Sequence, residues 1–197
     1  MPENATFYFD FISPYAYLAA ERIDELIPEA TWKPIAFPFL LAEVGRLDEV
    51  LSRDPRPALA EVRRRAAERG LPEINPPEGW PNDIWSIVPP RAALYADERG
   101  RLRAFAHAAY RQQFDYGRAL DDIANVFAAA RQAGLDPGEV GEAVERPDIK
   151  DRLKQNTDEA VARGVMGIPT VAIGENLFWG EDRVDEAAAL GEPSERA

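Results

Sequence analysis

The stretch that most constrains the fold is Thr6–Leu18, TFYFDFISPYAYL, in which a strand gives way abruptly to a helix. Phe7, Phe9 and Phe11 recur at every second position, which is the spacing of a β-strand. The stretch is apolar on nearly both faces, so it predicts a covered, central strand and not a half-solvated one.

Ser13 and Pro14 mark the break between this strand and the helix. Serine is a favoured N-cap, and proline suits the first helical turn, where its missing N–H has no partner in any case. Apolar residues then recur at helical spacing until Pro28 ends the run. Free N–H groups and the helix dipole favour anions at such an N-terminus. Ser13 is therefore either a simple cap or a cap that also faces a ligand.

The rest of the chain divides into a helical block and a second set of strands. A second strand is predicted at Ala30–Phe37, with Pro34 indicating an edge position or a kink. Strand, helix and strand form a parallel βαβ unit. From about Pro38 to Arg163 the spacing is helical, with an amphipathic helix at Pro57–Arg69 and an irregular, proline- and tryptophan-rich loop at Leu71–Ile87.

Short β-branched and aromatic runs return near the C-terminal end. Thr170–Ile173 and Leu177–Trp179 flank a turn signal, which predicts a tight hairpin. A short final helix follows, with Asp182 as its N-cap and Glu181 near the favourable end of its dipole.

This order predicts an α/β fold, β-α-β then β-β-α, with a large all-helical insertion. We assign residues 1–37 and 164–190 to the sheet domain and residues 38–163 to the insertion. Residues 191–197 are expected to form a loose tail.

Composition narrows the chemistry. The chain of 197 residues has no cysteine and one histidine, His107. Thiol nucleophiles and cysteine metal sites are excluded, and a Ser-His-Asp triad would depend on that one histidine. We interpret His107 as structural and expect no metal site.

Charge and hydropathy exclude further classes of partner. The formal net charge of −12 argues against nucleic acid as a partner, and the basic run Arg63–Arg65 is interpreted as a solvated helix face with i,i+4 pairs. No apolar run is long enough to span a membrane, and no signal-peptide pattern is seen. The lack of cysteine fits a reducing compartment, so a cytoplasmic location is expected.

Two segments together resemble a known family, and a third resembles it more weakly. They are FYFDFISPYAYLAAERI at Phe7–Ile23, NTDEAVARGVMGIPTVAIGENLFWGEDRVDE at Asn156–Glu186 and, more weakly, RAALYADERGRLRAFAHAAYRQQFDYGRAL at Arg91–Leu120. The chain resembles the DsbA-like thioredoxin-fold family, in the branch of 2-hydroxychromene-2-carboxylate isomerases and kappa-class glutathione transferases. The resemblance implies a thioredoxin-like sheet domain.

The resemblance gives Ser13 a role beyond capping. Redox relatives carry the first cysteine of Cys-x-x-Cys at this place, and serine cannot form a disulfide. It implies that the Ser13 hydroxyl donates a hydrogen bond to the sulfur of a bound thiol, glutathione or another low-molecular-weight thiol. Such a bond, with the helix N-terminus, lowers the pKa of the thiol.

A second implied element is the cis-proline loop at Gly167-Ile168-Pro169-Thr170. The residues alone leave a cis and a trans Pro169 open; the resemblance implies the cis form. The Ile168 backbone N–H and C=O would then pair with the backbone of glutathione like an added strand.

The segment WGEDR resembles the part that holds the γ-glutamyl end of glutathione, with Trp179 and Gly180 at its start. Asp182 or Glu181 would bind the ammonium group, and Arg183 or helix N–H groups would bind the carboxylate. An ordinary capped helix with a surface arginine is the alternative.

The chain departs from the family before the helix that begins near Arg91. Relatives often carry an asparagine near position 85, where this chain has Trp85-Ser86 with Asn82 nearby. Asn82 and Trp85 are therefore the candidate residues of the substrate pocket.

The function implied is a glutathione-dependent isomerase acting on a small aromatic-type electrophile. Alternatives are a kappa-type transferase and a non-catalytic thioredoxin-fold binding protein. Relatives often form homodimers, but the sequence shows no decisive interface stripe.

Overall fold

A four-stranded mixed sheet lies at the centre of the computed structural model, which describes residues 5–191. The strands are β1 (Thr6–Phe9), β2 (Thr31–Pro34), β3 (Thr170–Ile173) and β4 (Asn176–Trp179), in the order β2-β1-β3-β4. β1 is parallel to β2 and antiparallel to β3, and β3 is antiparallel to β4. Residues 192–197 of the expected tail lie outside the described residues.

β1 is buried on both faces, as its sequence predicts. Phe7 and Phe9 stack with ring centroids 5.3 Å apart, and the Trp32 ring meets the Phe7 ring edge-on at 5.0 Å. Tyr8 points to the other face and packs in a smaller core with Ile35. Helices therefore cover the sheet on both sides, and β1 is its covered interior strand.

Ten α-helices surround the sheet within residues 5–191. They are α1 (Pro14–Leu26), α2 (Phe37–Glu43), α3 (Leu47–Leu51), α4 (Arg56–Glu68), α5 (Val88–Glu98), α6 (Leu102–Tyr110), α7 (Ile123–Gln132), α8 (Pro137–Ala143), α9 (Pro147–Ala162) and α10 (Val184–Gly191). A π-helical turn, Arg111–Asp115, extends α6, and a 3-10 turn, Glu181–Arg183, precedes α10.

The second strand is shorter than the predicted Ala30–Phe37, although it lies at the sheet edge as Pro34 indicated. The chain leaves the sheet because side chains bind its next amides. The Ala36 N–H donates to Thr157 Oγ1 at 3.0 Å, and the Phe37 N–H donates to Asp10 Oδ2 at 2.9 Å. These contacts start α2 where the strand was expected to continue.

The prediction that Asp182 caps the final helix is wrong. Gly180, with φ of 113°, precedes the 3-10 turn, and α10 begins only at Val184. The turn forms there because Glu181 is drawn inward into buried ion pairs with Arg65 and Arg69.

The other expectations for the helical block are confirmed in outline. The helix predicted at Pro57–Arg69 is α4, and residues 71–87 contain no regular helix or strand. In that loop Trp80 is anchored to the turn that follows β1, since its Nε1–H donates to the Ile12 carbonyl at 2.9 Å. His107 bridges α6 to α1, which agrees with a structural role.

One large core joins the two regions that the sequence analysis separated. Phe9 of β1 and Leu18 of α1 share it with Phe105 of α6 and Val126 of α7. The division into a sheet domain and an inserted helical domain stays a prediction.

Candidate active site

The sheet topology brings the two sequence motifs to one edge. Tyr8 of β1 pairs with Thr170 of β3, and the two strands are antiparallel. The residues that follow β1 and those that precede β3 must therefore emerge at the same end of neighbouring strands. The Ser13 turn and the Ile168–Pro169 loop therefore both lie at this end of the sheet.

Ser13 caps α1, as its position predicted. Its backbone is extended, with φ of −96° and ψ of 119°, and Oγ accepts a hydrogen bond from the Ala16 N–H at 3.3 Å. Capping uses only a lone pair of the oxygen, and within residues 5–191 the Ser13 O–H donates to no other group. A serine in this state can cap the helix and still donate to a ligand.

The Ile168–Pro169 bond is cis, as the resemblance implied. Thr170 Oγ1 donates to the Gly167 carbonyl at 2.8 Å, and the Gly180 N–H donates to the Pro169 carbonyl at 2.9 Å. Across the described residues, the Ile168 N–H and C=O form no hydrogen bond. The loop is held firmly on both sides of a backbone segment that offers one donor and one acceptor.

A cavity of about 360 Å³ opens over this loop. Tyr15 from α1 and the segments Gly167–Pro169 and Trp179–Asp182 line it. Six charged side chains also line it, three of each sign: Arg46, Arg53, Arg65, Glu61, Glu181 and Asp182. In a protein of net charge −12, this balanced lining suits a zwitterion better than a simple cation.

Arg46 joins the α2–α3 region to the cis-proline loop. Its guanidinium lies 4.8 Å from the Trp179 ring centroid, and Nη1 donates to the Met166 carbonyl at 2.7 Å. Beneath this stack, Gly167 lies so close that a Cβ on it would come 2.6 Å from Trp179 Nε1. The glycine is therefore needed for Trp179 to pack against the loop.

Glu181 is not free to bind an ammonium group, which corrects one of the two carboxylates proposed from the sequence. Its side chain is fully buried, and Arg69 Nη2 lies 2.7 Å from Oε2, while Arg65 Nη1 contacts Oε1. The hydrogen bond to Glu181 raises the pKa of Arg65 further above its ordinary value. Asp182, which also lines the cavity, remains as the available carboxylate.

Arg183 does not line the cavity with its neighbours. Its Nη2 donates to Glu186 Oε1 at 2.8 Å, and the guanidinium lies over the Phe178 ring at 5.6 Å. The structure thus gives Arg183 the surface position that was the alternative interpretation.

Asn82 and Trp85 lie outside the lining as well. Asn82 Nδ2 donates to the Leu51 carbonyl at 3.3 Å, whereas Trp85 stacks on Phe37 with ring centroids 6.1 Å apart. Phe37 itself lines the cavity. Trp85 therefore supports the cavity wall from behind and does not face its interior.

Asp10 fixes the turn between β1 and Ser13. The carboxylate is buried and accepts from the Phe11 N–H at 2.5 Å and the Phe37 N–H at 2.9 Å. Burial raises the pKa of Asp10 to about 6, and these backbone hydrogen bonds only partly offset the effect. Asp10 thus ties the Ser13 turn to the start of α2.

Several lining residues could not be found from the sequence. Arg46 and Arg53 lie outside the three segments that resemble the family, and Tyr15 falls within the run of residues predicted as the first helix. The basic run was only partly solvated, since Arg64 pairs with Glu68 at the surface while Arg65 turns inward to Glu181. The Arg65–Glu181 pair joins distant parts of the chain, so it could be detected only in the tertiary structure.

Two absences can be stated for residues 5–191. No group of three or more His, Cys, Asp or Glu side chains lies where it could hold a metal ion. No helix there is long and apolar enough to cross a membrane.

Comparison with protein families places residues 5–190 in the DSBA-like thioredoxin domain. A 2-hydroxychromene-2-carboxylate isomerase of Sphingobium xenophagum is 30% identical over 193 residues, covering 94% of this chain and 96% of the relative. Glutathione S-transferase kappa 2 of Caenorhabditis elegans is 28% identical over 208 residues, covering 95% and 91%.

Among solved structures, a 2-hydroxychromene-2-carboxylate isomerase superposes with a TM-score of 0.78 at 22% identity. The match covers 94% of this chain and 92% of the other. At this identity the likeness shows a shared fold.

Proposed function

The chain belongs to the DsbA-like thioredoxin-domain family, with enzyme relatives named as isomerases and a kappa-class transferase, and from this we propose that it is a glutathione-dependent isomerase. Its substrate is a small, conjugated, aromatic-type electrophile. The observation that carries the proposal is the cavity that Tyr15 of α1 lines together with the cis-proline loop; Ser13 lies two residues before Tyr15 and is not itself among the lining residues. A chain without cysteine needs a borrowed thiol for thiol chemistry, and this cavity suits one.

The lining fits glutathione, which carries one ammonium group, two carboxylates and peptide bonds. The free Ile168 N–H and C=O can pair with a peptide backbone in the manner of an added strand. Asp182 would hold the ammonium group, and Arg53, whose exposed pair with Glu49 exchanges readily, would hold a carboxylate. Trp179 and Gly180 shape the wall beside them.

When bound, glutathione supplies a sulfur nucleophile that adds reversibly to the electrophile and is not consumed. Ser13 donates its O–H to that sulfur while its lone pair continues to cap α1. The first-turn N–H groups add the positive end of the helix dipole. Both contributions favour the thiolate over the thiol and lower the thiol pKa.

The wall formed by Phe37 and Trp179 offers flat apolar surface beside the polar groups. Trp179 is 48% exposed, which is unusual for so large a side chain and leaves ring surface for a planar substrate. Trp85, stacked behind Phe37, keeps that wall in place. We place the electrophile against this surface. For the protein as a whole, we propose a cytoplasmic location and a homodimer.

The test is to incubate the protein with glutathione and 2-hydroxychromene-2-carboxylate and to follow both compounds. An isomerase converts the substrate with glutathione undiminished. The 28% identical kappa-class relative favours a second candidate, a transferase, which would consume glutathione in proportion to product. No turnover of this or other conjugated electrophiles, together with thiol binding that does not depend on Ser13, would leave a binding protein.

A further inference from the structure

A second cavity, of about 290 Å³, lies on the opposite side of α2 from the cavity over the cis-proline loop, which is called the cleft from here on. Phe37 and Leu41 line the cleft, whereas Ala36, Phe39 and Glu43 line the second cavity. The spacings i, i+4 and i, i+3, i+7 place these two sets on different faces of one helix. The two cavities share α2 as a wall and no lining residue.

The interior of the second cavity is mainly apolar. Ile87 and Leu153 line it together with Phe39. Phe39 is 59% exposed, the most exposed of the large hydrophobic residues described. An aromatic ring beside an apolar cavity offers contact area that a ligand could bury.

Cations gather at the rim of the same cavity. The chain has only three lysines, and two of them, Lys150 and Lys154, line this cavity on α9. Their carboxylate partners are at the surface: Lys150 Nζ lies 2.7 Å from Glu145 Oε2, and Lys154 pairs with Asp158. Exposed pairs of this kind are weak and exchange readily.

Arg91 is the third cation, and it is poorly satisfied. Its Nε is buried without a partner, and Nη1 reaches the Val144 carbonyl only at 3.4 Å. Within the part of the chain that the structure describes, no carboxylate lies within ion-pair distance of it. Glu43 and Asp158 also line the cavity, so its charged groups sum to one net positive charge in a protein of net charge −12.

We propose that this cavity binds a small amphipathic acid, a ring system of limited size that carries a single carboxylate or sulfonate. The apolar body lies against Phe39, Ile87 and Leu153, and the acid group meets Arg91 with Lys150 and Lys154 at the rim. The volume is at the lower end of known ligand pockets, which limits the ligand to a small one. This site does not depend on the glutathione chemistry of the cleft.

The experiment is a fluorescence titration of the full-length protein with anilinonaphthalene sulfonate, a fluorescent aromatic anion. We expect one site per chain. The double variant Lys150→Glu/Lys154→Glu should raise the Kd at least tenfold, and Phe39→Ser at least threefold. The control Arg101→Glu/Arg131→Glu makes the same charge change at exposed positions away from the cavity and should leave the Kd within twofold.

Four results would overturn the proposal. An equal loss in the control would show a net-charge effect, and an unchanged Kd in both cavity variants would show that the probe binds elsewhere. Loss of binding in Arg53→Glu but not in the cavity variants would place the probe in the cleft. Finally, a dimer that Phe39→Ser dissociates would make this face an interface between two copies. Unchanged circular dichroism of each variant secures the interpretation.

Discussion

At its N-terminal end α1 carries Ser13 and Tyr15, and in its C-terminal half it carries Glu21 and Asp24. The first pair is loosely bonded: Ser13 Oγ accepts at 3.3 Å, and the Tyr15 hydroxyl lies 3.5 Å from both the Ala58 carbonyl and Glu61. The second pair is closely bonded, because Glu21 and Asp24 each lie 2.8 Å from a ring nitrogen of His107.

This difference in hydrogen bonding distinguishes polar groups with a structural role from those available to a ligand on the same helix. Most polar groups that a fold buries are hydrogen-bonded within it, since an unmet bond in the interior is costly. Groups that face a ligand are left with unused donors and acceptors until the ligand arrives. By this criterion we propose the Ser13 end, and not the more highly charged His107 cluster, as the site.

A substitution at the Ser13 end of α1 gives the largest expected effect on turnover. Ser13→Ala should lower the rate of thiol-dependent turnover by about 100-fold, as loss of one well-placed donor does. Its free energy of unfolding should fall by only about 1 kcal/mol, the value of a helix cap. Turnover assays and urea denaturation measure the two quantities.

The matched control is His107→Gln at the other end of α1. It should lower stability and leave turnover close to that of the wild type. If His107→Gln impaired turnover as strongly as Ser13→Ala, the division of α1 into two ends would be wrong.

The same contrast occurs in the segment that follows β4, between two Glu–Arg contacts. Glu181 is fully buried between Arg65 and Arg69, whereas Glu186 pairs with Arg183 at the surface. Glu181→Gln should cost about 2 kcal/mol of unfolding free energy because it removes the counter-ion of Arg69 and one of the two carboxylate partners of Arg65, both partly buried. Glu186→Gln should cost less than about 0.5 kcal/mol. Equal losses in urea denaturation would contradict the assignment of Glu181 as the structural carboxylate.

A smaller effect is expected where the loop meets Trp179. Gly167→Ala places a methyl group against the indole and should cost about 1 to 2 kcal/mol by overpacking. In a Trp179→Ala background the same change should cost almost nothing. A double-mutant cycle on the free energy of unfolding measures the coupling, and additive losses would show that the two residues do not press on each other.

The smallest effect is the pH dependence of the His107 cluster. Burial opposes a charge on His107, but the hydrogen bonds to Glu21 and Asp24 outweigh it and raise the pKa. The folded state therefore favours the protonated ring. Its stabilising contribution is complete below the ordinary histidine pKa of about 6.5 and is lost as the pH rises through the raised value.

The measurement compares unfolding free energies of the wild type and His107→Gln from pH 6 upward. The wild-type advantage should shrink with rising pH. An advantage that grew instead would mean that the neutral ring is the stabilised form.

The sequence predicted the local elements well where one short stretch determines the outcome. The start of α1 at Ser13-Pro14, the strand that contains Phe7 and Phe9, and the hairpin that ends at Trp179 are each determined by neighbouring residues. All three are present in the structure. The cis bond at Pro169 followed from resemblance, since the residues alone leave both isomers open.

The sequence failed where distant segments meet. Glu181 could be assigned to a ligand only while Arg65 and Arg69, more than a hundred positions earlier, were assumed to be solvated. Likewise, nothing local shows that Trp85 lies behind Phe37, or that Arg46 stacks on Trp179. These facts depend on how α2, α4 and the loop after α4 pack over the sheet end.

The most direct test of the central claim is the pKa of the glutathione thiol in the complex, measured from the ultraviolet absorbance of the thiolate. With the wild-type protein we expect the thiol pKa to fall below its value in free glutathione, so that thiolate is present near neutral pH. With Ser13→Ala, at a glutathione concentration that saturates it, the pKa should return toward the free value. A bound thiol whose pKa is not lowered, or is lowered equally without the Ser13 hydroxyl, would contradict the account.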